Sequence, residues 1–285
     1  MSDKIFVPPL KIQGIKTKLV PTIKKFLPEE KFNLWLEPFM GSGVVGFNVR
    51  PSRAIFADIN PHIINFYNAI KSGDITSDIV RVFLQENGER LMKEGEKFYY
   101  FMRDRFNKFH SPLDFLFLNR SCFNGMIRFN KDFKFNVPYC HKPERFSRAY
   151  ITKIVNQVWY IEECLKIYDW KFFCNPFEET ISMSEVRSFI YCDPPYIGRH
   201  VDYYDSWDES SEKKLCTLLK ESSSNFMLST WDYNEFRTNE YINKIWSFCR
   251  KINCEHFYHV GAKEPNRHSM IEAILINYKQ GNLIL

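Results

Sequence analysis

The chain reads as an open α/β sheet with a ligand crevice at the carboxyl ends of its strands. Three observations predict this. Leu34-Trp35-Leu36 is a short apolar run that passes through Glu37-Pro38-Phe39-Met40 into a Gly41-Ser42-Gly43 turn and an apolar helix start at Val44. A second run, Arg53-Ala54-Ile55-Phe56-Ala57, stops at Asp58. A third, Ser188-Phe189-Ile190-Tyr191-Cys192, stops at Asp193-Pro194-Pro195-Tyr196, where neither proline can donate to a sheet ladder. Short apolar runs bounded by turn residues read as buried strands. In open α/β sheets the carboxyl ends of such strands bind ligands.

Taken in order, residues 1–31 are basic, and Leu19, Val20, Ile23 and Phe26 have helical spacing, with Pro21 marking the start and Pro28 the end. A solvated lysine-rich helix accounts for this segment. The Gly-x-Gly turn lets a ligand approach the backbone, and the helix after it offers free N–H groups. Asp58 stands where a strand-end carboxylate takes ribose hydroxyls in nucleoside-binding sheets. It equally suits a cap for a helix from about Pro61, and the two roles are compatible. Helical patterns follow over 62–71, with Gly73 as a stop, and over 75–112.

The stretch 113–146 changes character. Asn and Arg, the side chains that make bidentate contacts to adenine and guanine edges, interleave with Phe123 and Phe129 across 118–138. An irregular base-reading segment is one reading, and a structural hairpin of Ile127–Asn130 with Lys134–Val137 is the other. An amphipathic helix is predicted over 149–168 and a strand over Trp170–Cys174 that exits at Asn175-Pro176-Phe177. After the Asp193 strand, Gly198–Asp208 is polar and aromatic, a candidate loop over a site. A helix over 211–220, a strand over 225–230, a helix over 240–251 and an antiparallel pair, 254–260 with 272–278, complete the chain. Lys263–His268 is a basic, phosphate-facing candidate loop.

The chain has 285 residues, 45% hydrophobic and 26% charged, the proportions of a soluble protein. Aromatics are abundant, with 27 Phe and 15 Tyr, and some of these can serve as stacking faces for bases. A net charge of +5 permits a polyanionic partner. The eight cysteines include no CxxC pair and no zinc spacing, so reduced thiols, no metal and a cytoplasmic location are expected. No apolar stretch approaches the roughly 18 residues of a membrane span.

The Asp193 group suits a narrow chemistry. An exocyclic amine on a base is a poor nucleophile because its lone pair is conjugated with the ring. The Asp193 carboxylate and the Pro194 carbonyl are two acceptors that hold both amine hydrogens and aim the nitrogen at a methyl donor. Tyr196 is a face for the base to stack on. Asp-Pro-Pro-Tyr after an apolar strand resembles the catalytic motif of amino methyltransferases that use S-adenosylmethionine.

With Lys11-x-x-Gly14-x-Lys16, Glu37-Pro38-Phe39-x-Gly41-x-Gly43, Asp58-x-Asn60, Leu118-Asn119-Arg120-x-x-Phe123-Asn124-Gly125, Arg128-Phe129-Asn130, Phe135-Asn136-Val137-Pro138 and Leu228-Ser229 in one order, nearly the whole chain resembles the Dam-like N6-adenine DNA methyltransferases of bacteria and phages. The resemblance implies a Rossmann-like class I methyltransferase sheet of seven strands, mostly parallel, its last hairpin reversed, with a smaller inserted DNA-recognition domain. The implied division is a cofactor-binding part over 1–72, a target-recognition domain over 73–150 and a catalytic part over 151–285. Lys16, Phe39, Gly41, Ser42, Gly43, Asp58 and Asp193 would hold S-adenosylmethionine, with Phe177 near its adenine. Asp193, Pro194, Pro195 and Tyr196 would receive a flipped adenine. Lys11, Arg120, Phe123, Asn124, Met126, Arg128 and Pro138 would lie on double-stranded DNA, Phe123 as a wedge and Met126, Arg128 and Pro138 at base edges.

The chain departs from the family's usual opening at Ile12 and Gly14-Ile15, lacks its frequent acidic residue around Asn175-Pro176, and differs from GATC-reading members over 197–200. This implies a divergent branch of restriction–modification type, with a cognate restriction endonuclease acting on the same site without stable association. N4-cytosine transfer is the nearest chemical rival and usually carries Ser at position 193. Protein-glutamine or RNA methylation more often begins the motif with Asn. A catalytically silent DNA- or nucleotide-binding relative is the rival from another class.

Overall fold

The computed structural model describes residues 4–197, 207–235, 237–254 and 270–279. The strands are β1 (Leu34–Glu37), β2 (Arg53–Ala57), β3 (Asp169–Phe173), β4 (Ser188–Cys192), β5 (Asn225–Asn234), β6 (Arg250–Cys254) and β7 (Met270–Ile276). They form one seven-stranded sheet ordered β3-β2-β1-β4-β5-β7-β6. The first five run parallel, and β7 lies antiparallel to both β5 and β6. This is the mixed sheet with a reversed last hairpin that the resemblance implied.

Alternation along the strands sorts the core into two layers. Trp35, Phe189, Tyr191 and Met227 join the larger cluster on one face, while Leu36, Ile190, Cys192 and Leu228 join a smaller one on the other. The smaller cluster is closed by α8 (Phe177–Ser182), α9 (Glu209–Glu221) and α10 (Glu240–Ile245). The larger takes in α1 (Val20–Lys25), α2 (Val44–Val49), α3 (Pro61–Ser72), α4 (Ser77–Glu94), α5 (Glu96–Phe109), α6 (Pro112–Ser121) and α7 (Arg148–Ile167). Residues of 73–150 such as Leu84, Phe98, Phe106 and Phe115 thus share one continuous core with the sheet.

Local chemistry explains most boundaries. Asn60 caps α3 by accepting the His62 N–H at 3.0 Å, and Gly73 ends it in the left-handed region. The helical run expected over 75–112 is two helices broken at Gly95, whose φ of +58° no ordinary side chain favours.

Four expectations are corrected. The helix expected to reach residue 251 ends at Ile245, because Ile252 pairs with Ile274 as part of β6; strand pairing overrides the apolar spacing. The last strand pair therefore begins earlier than expected, and residues 255–260 lie outside the described residues. β5 continues past Thr230 through an irregularity at Trp231/Tyr233. The segment from Leu118 to Ser121 is the end of α6 rather than irregular chain. Of the candidate loop Gly198–Asp208, residues 198–206 lie outside the described residues, as does the candidate loop at 263–268.

Candidate active site

The strand order reverses between β2-β1 and β4-β5, so the carboxyl ends of β1 and β4 splay apart and leave a crevice. A cleft of about 480 Å³ lies there. Lys16, Phe39, Gly41, Ser42, Asp58, Phe177, Asp193, Pro194, Pro195 and Tyr196 all line it, which brings together residues up to 180 positions apart in the chain. Gly43 stands one residue behind, at the start of α2.

The loop after β1 is held from several sides. Gly41 and Gly43 have φ of +47° and +74°, and a Cβ on Gly43 would sit 2.5 Å from the Phe47 ring. Asp58 Oδ2 accepts the Gly41 N–H and Oδ1 accepts the Asn60 N–H, both at 2.9 Å. Tyr67 donates its hydroxyl to the Ser42 carbonyl at 2.6 Å. Asp58 therefore lines the cleft and braces the loop, while the helix cap expected of it is made by Asn60. Phe39 stacks on Phe177, and Trp207 stands edge-on to both, each pair with centroids 5.4–5.5 Å apart.

At the end of β4, Asp193 Oδ1 accepts the Ser229 hydroxyl at 2.9 Å and lies 3.1 Å from Lys16 Nζ. Among the described residues Oδ2 has no partner, and 22% of the side chain stays accessible. Burial and the neighbouring Glu272 push the Asp193 carboxyl up, against the opposing pull of Lys16. Burial alone would lower Lys16, but Asp193, Tyr196 and Glu272 outweigh it and hold the ammonium well above the usual lysine range. The Lys16 Nζ also donates to the Gly14 carbonyl at 2.9 Å and lies 5.2 Å from the Tyr196 ring centroid. Asp193, Pro194 and Tyr196 thus line the same cleft.

Several residues here take roles that the sequence alone does not assign. Ser229 and Tyr191, 3.0 Å apart, buttress Asp193 from behind. Glu272 pairs with Lys16 at 3.4 Å and accepts the Tyr196 hydroxyl at 2.9 Å. A lone acid opening the apolar run Ala273–Ile276 was the available signal. Trp207 is oriented by Glu212, whose carboxylate accepts the Trp207 and Trp246 indole N–H groups at 2.6 and 2.7 Å.

The segment 118–138 divides. Asn119 is fully buried: it accepts the Lys11 N–H and donates to the Lys11 carbonyl, each at 2.8 Å, and so staples the N-terminal stretch to the Gly125 turn. Asn130 caps the turn that returns to Lys134, and Asn136 Oδ1 accepts from Arg128 Nε at 2.8 Å. The Phe129–Phe135 bridge is the expected hairpin. Arg120 also departs from the picture of a side chain lying on DNA. It is 8% exposed, with its guanidinium donating to the Pro9 carbonyl and to Gln157. Burial forces this, since the last turn of α6 faces the core. Phe123 (44% exposed), Asn124 and Pro138 remain at the surface, with the Phe123 N–H on the Pro138 carbonyl at 2.9 Å. Met126 and Arg128 are half-buried beside them. Lys11 packs against Gly125, and burial next to Arg120 and Arg145 lowers its ammonium to about 8.

The sequence profile of the D12 class N6 adenine-specific DNA methyltransferases matches residues 13–264. The chain belongs to this family. Among relatives, a DNA adenine methylase of Haemophilus influenzae is 34% identical over 66% of this chain and 63% of its own. The Retron Ec67 DNA adenine methylase of Escherichia coli is 34% identical over 75% of this chain and 73% of its own. The type II methyltransferase M.FokI of Planomicrobium okeanokoites is 28% identical over 95% of this chain and 42% of its own. The chain thus covers less than two thirds of the Haemophilus relative and less than half of M.FokI.

D12-class membership implies S-adenosylmethionine, and the cleft fits it. The volume lies in the usual range for a ligand of that size. Gly41 and Gly43 hold the loop in the left-handed turns that set its backbone beside the cleft, Asp58 offers a carboxylate for ribose hydroxyls, and Phe39, Phe177 and Trp207 form an aromatic wall. Among the described residues no cluster of His, Cys, Asp or Glu is placed to hold a metal ion, and no helix is long and apolar enough to cross a membrane.

Proposed function

We propose that this chain is a site-specific DNA methyltransferase acting on N6 of an adenine turned out of a short double-stranded motif. One observation carries the reading. Asp193 is tethered through Oδ1 while Oδ2 stays available beside Pro194 in the cleft that also contains Asp58 and the glycine loop.

S-adenosylmethionine supplies an electrophilic methyl group. Gly41, Ser42 and Gly43 give it backbone room, Asp58 takes its ribose, Phe39 and Phe177 flank its adenine, and Lys16 fixes Asp193 beside it. Asp193 and the Pro194 carbonyl accept the two N6 hydrogens, which aims the nitrogen lone pair into the cleft. Pro195 keeps that corner rigid, and Tyr196 stacks on the base. Turning the adenine out costs a few kcal/mol of stacking. Rate then comes from holding nitrogen and methyl in near-attack geometry.

The surface formed by Lys11, Phe123, Asn124, Met126, Arg128 and Pro138 is the DNA face of a target-recognition region over 73–150. Phe123, exposed on a turn held to Pro138, suits a wedge into the base stack. Arg120 serves this face from within, through the Pro9 and Gln157 contacts that hold its neighbours. A cognate restriction endonuclease reading the same motif is the partner that the similarity to a type II methyltransferase supports.

Expression in a methylation-free bacterial host, followed by sequencing of its genome for modified bases, tests this. N6-methyladenine at one short motif is expected. N4-methylcytosine would transfer the reading to the cytosine amine. Unmodified DNA would overturn it, toward RNA or protein substrates where the cofactor still binds, or toward a silent binder where it does not.

A further inference from the structure

Glu272 lies behind the acceptor group, on β7, paired across the sheet with Trp231 of β5 and Cys254 of β6. It is 2% exposed. Oε1 accepts the Tyr196 hydroxyl at 2.9 Å and lies 3.4 Å from Lys16 Nζ, while Oε2 is buried and has no partner among the described residues. Lys16 is also the ion-pair partner of Asp193, at 3.1 Å. Among the described residues, two carboxylates therefore share one ammonium. Another acid–base pair on this part of the sheet, Lys251 with Asp232 at 3.0 Å, is complete in itself. Hydrogen bonds from Ser229 and Tyr196 soften the imbalance without adding charge.

A buried carboxylate without a full counter-charge is costly, and a cation brought to the site relieves it. Lys16, Asp193 and Tyr196 line the cleft and Glu272 stands behind them, so its charge reaches the cleft through the pair it unbalances. S-adenosylmethionine and the S-adenosylhomocysteine left after transfer differ by one methyl group and one positive charge. We infer that Glu272 adds a negative charge to the Lys16–Asp193 pair, and so favours the sulfonium cofactor over the neutral thioether product. This rests on the cofactor reading above. It makes Glu272 a positioning and charge-setting residue: it touches no reacting atom and acts through Lys16 and Asp193. In its absence Lys16 and Asp193 would be a neutral pair.

The test is the ratio of affinities for the two ligands, measured by calorimetry in mildly alkaline buffer on the full chain. Glu272→Gln keeps the volume and an acceptor for the Tyr196 hydroxyl while removing the charge. It is expected to weaken S-adenosylmethionine by about tenfold and leave S-adenosylhomocysteine within about twofold, the order expected for one partly screened charge. Sinefungin, which carries an ammonium in place of the sulfonium, should follow S-adenosylmethionine. Glu272→Asp keeps the charge and should hold the wild-type ratio. Because the readout is a ratio on the bound fraction, a partly destabilised variant still reports it. Equal weakening of both ligands, or an unchanged ratio in Glu272→Gln, would reduce Glu272 to a packing role and overturn the inference. A wild-type chain that binds neither ligand would instead remove the cofactor reading and the inference with it.

Discussion

Glu37 ends β1 beneath the glycine loop and is 1% exposed. Its Oε2 accepts the Trp35 indole N–H at 2.9 Å and the Gly46 N–H at 3.0 Å. Burial lifts its carboxyl from an ordinary 4.5 to about 8, against the opposing effect of these two bonds. The folded protein therefore keeps Glu37 protonated at neutral pH, while the unfolded chain ionises it. Because the folded state binds the extra proton, stability is full below pH 4.5 and declines as pH rises toward 8. The linked free energy over that window is roughly 5 kcal/mol as a ceiling, since each pKa unit corresponds to about 1.4 kcal/mol.

Glu37→Gln reproduces the neutral form. Its amide oxygen accepts the same two N–H groups, and the substitution keeps the volume of a side chain so closely packed that a Cβ on Gly46 would meet Oε2 at 2.6 Å. Urea unfolding of both proteins from pH 5 to 8.5 isolates Glu37, because other titrating groups cancel in the difference. The two should match at pH 5, and the variant should be more stable by several kcal/mol at pH 8. Parallel curves would refute the assignment of a neutral buried carboxyl. A variant less stable at every pH would mean that Oε2 is held as an anion.

Asp193→Ala should lower methyl transfer at least on the order of a hundredfold while DNA binding survives, as measured by single-turnover kinetics and gel shift. Gly43→Ala places a Cβ 2.5 Å from Phe47 at a φ of +74°, which should cost roughly 2–4 kcal/mol in thermal unfolding and weaken cofactor binding. Arg128→Ala should relax sequence choice at one base by about 1–3 kcal/mol in competition with altered motifs. An unchanged preference would make Arg128 a brace for Asn136 alone.

The sheet was legible because its evidence is local. β1, β2 and β4 end where an apolar run meets Gly, Asp or Pro, and each end carries a site residue. The last third was less legible for a physical reason. Ile242, Ile245, Trp246, Cys249 and Ile252 keep an apolar spacing that suits a helix, and only the availability of β7 as a partner turns Ile252 into strand. Three of the four asparagines of 118–138, Asn119, Asn130 and Asn136, mislead for a related reason. A side-chain amide suits a base edge and a backbone equally well, and Asn119 is spent on Lys11 at a sequence distance of 108, which no window along the chain can see.

The carboxylates make the same point about function. Glu37, Asp58, Asp193 and Glu272 all stand at or near strand ends in apolar contexts, and residue type alone does not rank them. Neighbours do. Glu37 has two N–H donors and no cation, so it protonates. Asp58 caps two backbone N–H groups and keeps a face on the cleft. Asp193 has a hydroxyl and half of an ammonium, and retains an oxygen for substrate. Glu272 takes the other half of that ammonium from β7, two strands from β4 on the same face of the sheet, where the reversed hairpin places it. A motif of four residues names the place where an amine is received, but the charge felt there is set by Lys16 and Glu272 as well, from opposite ends of the chain.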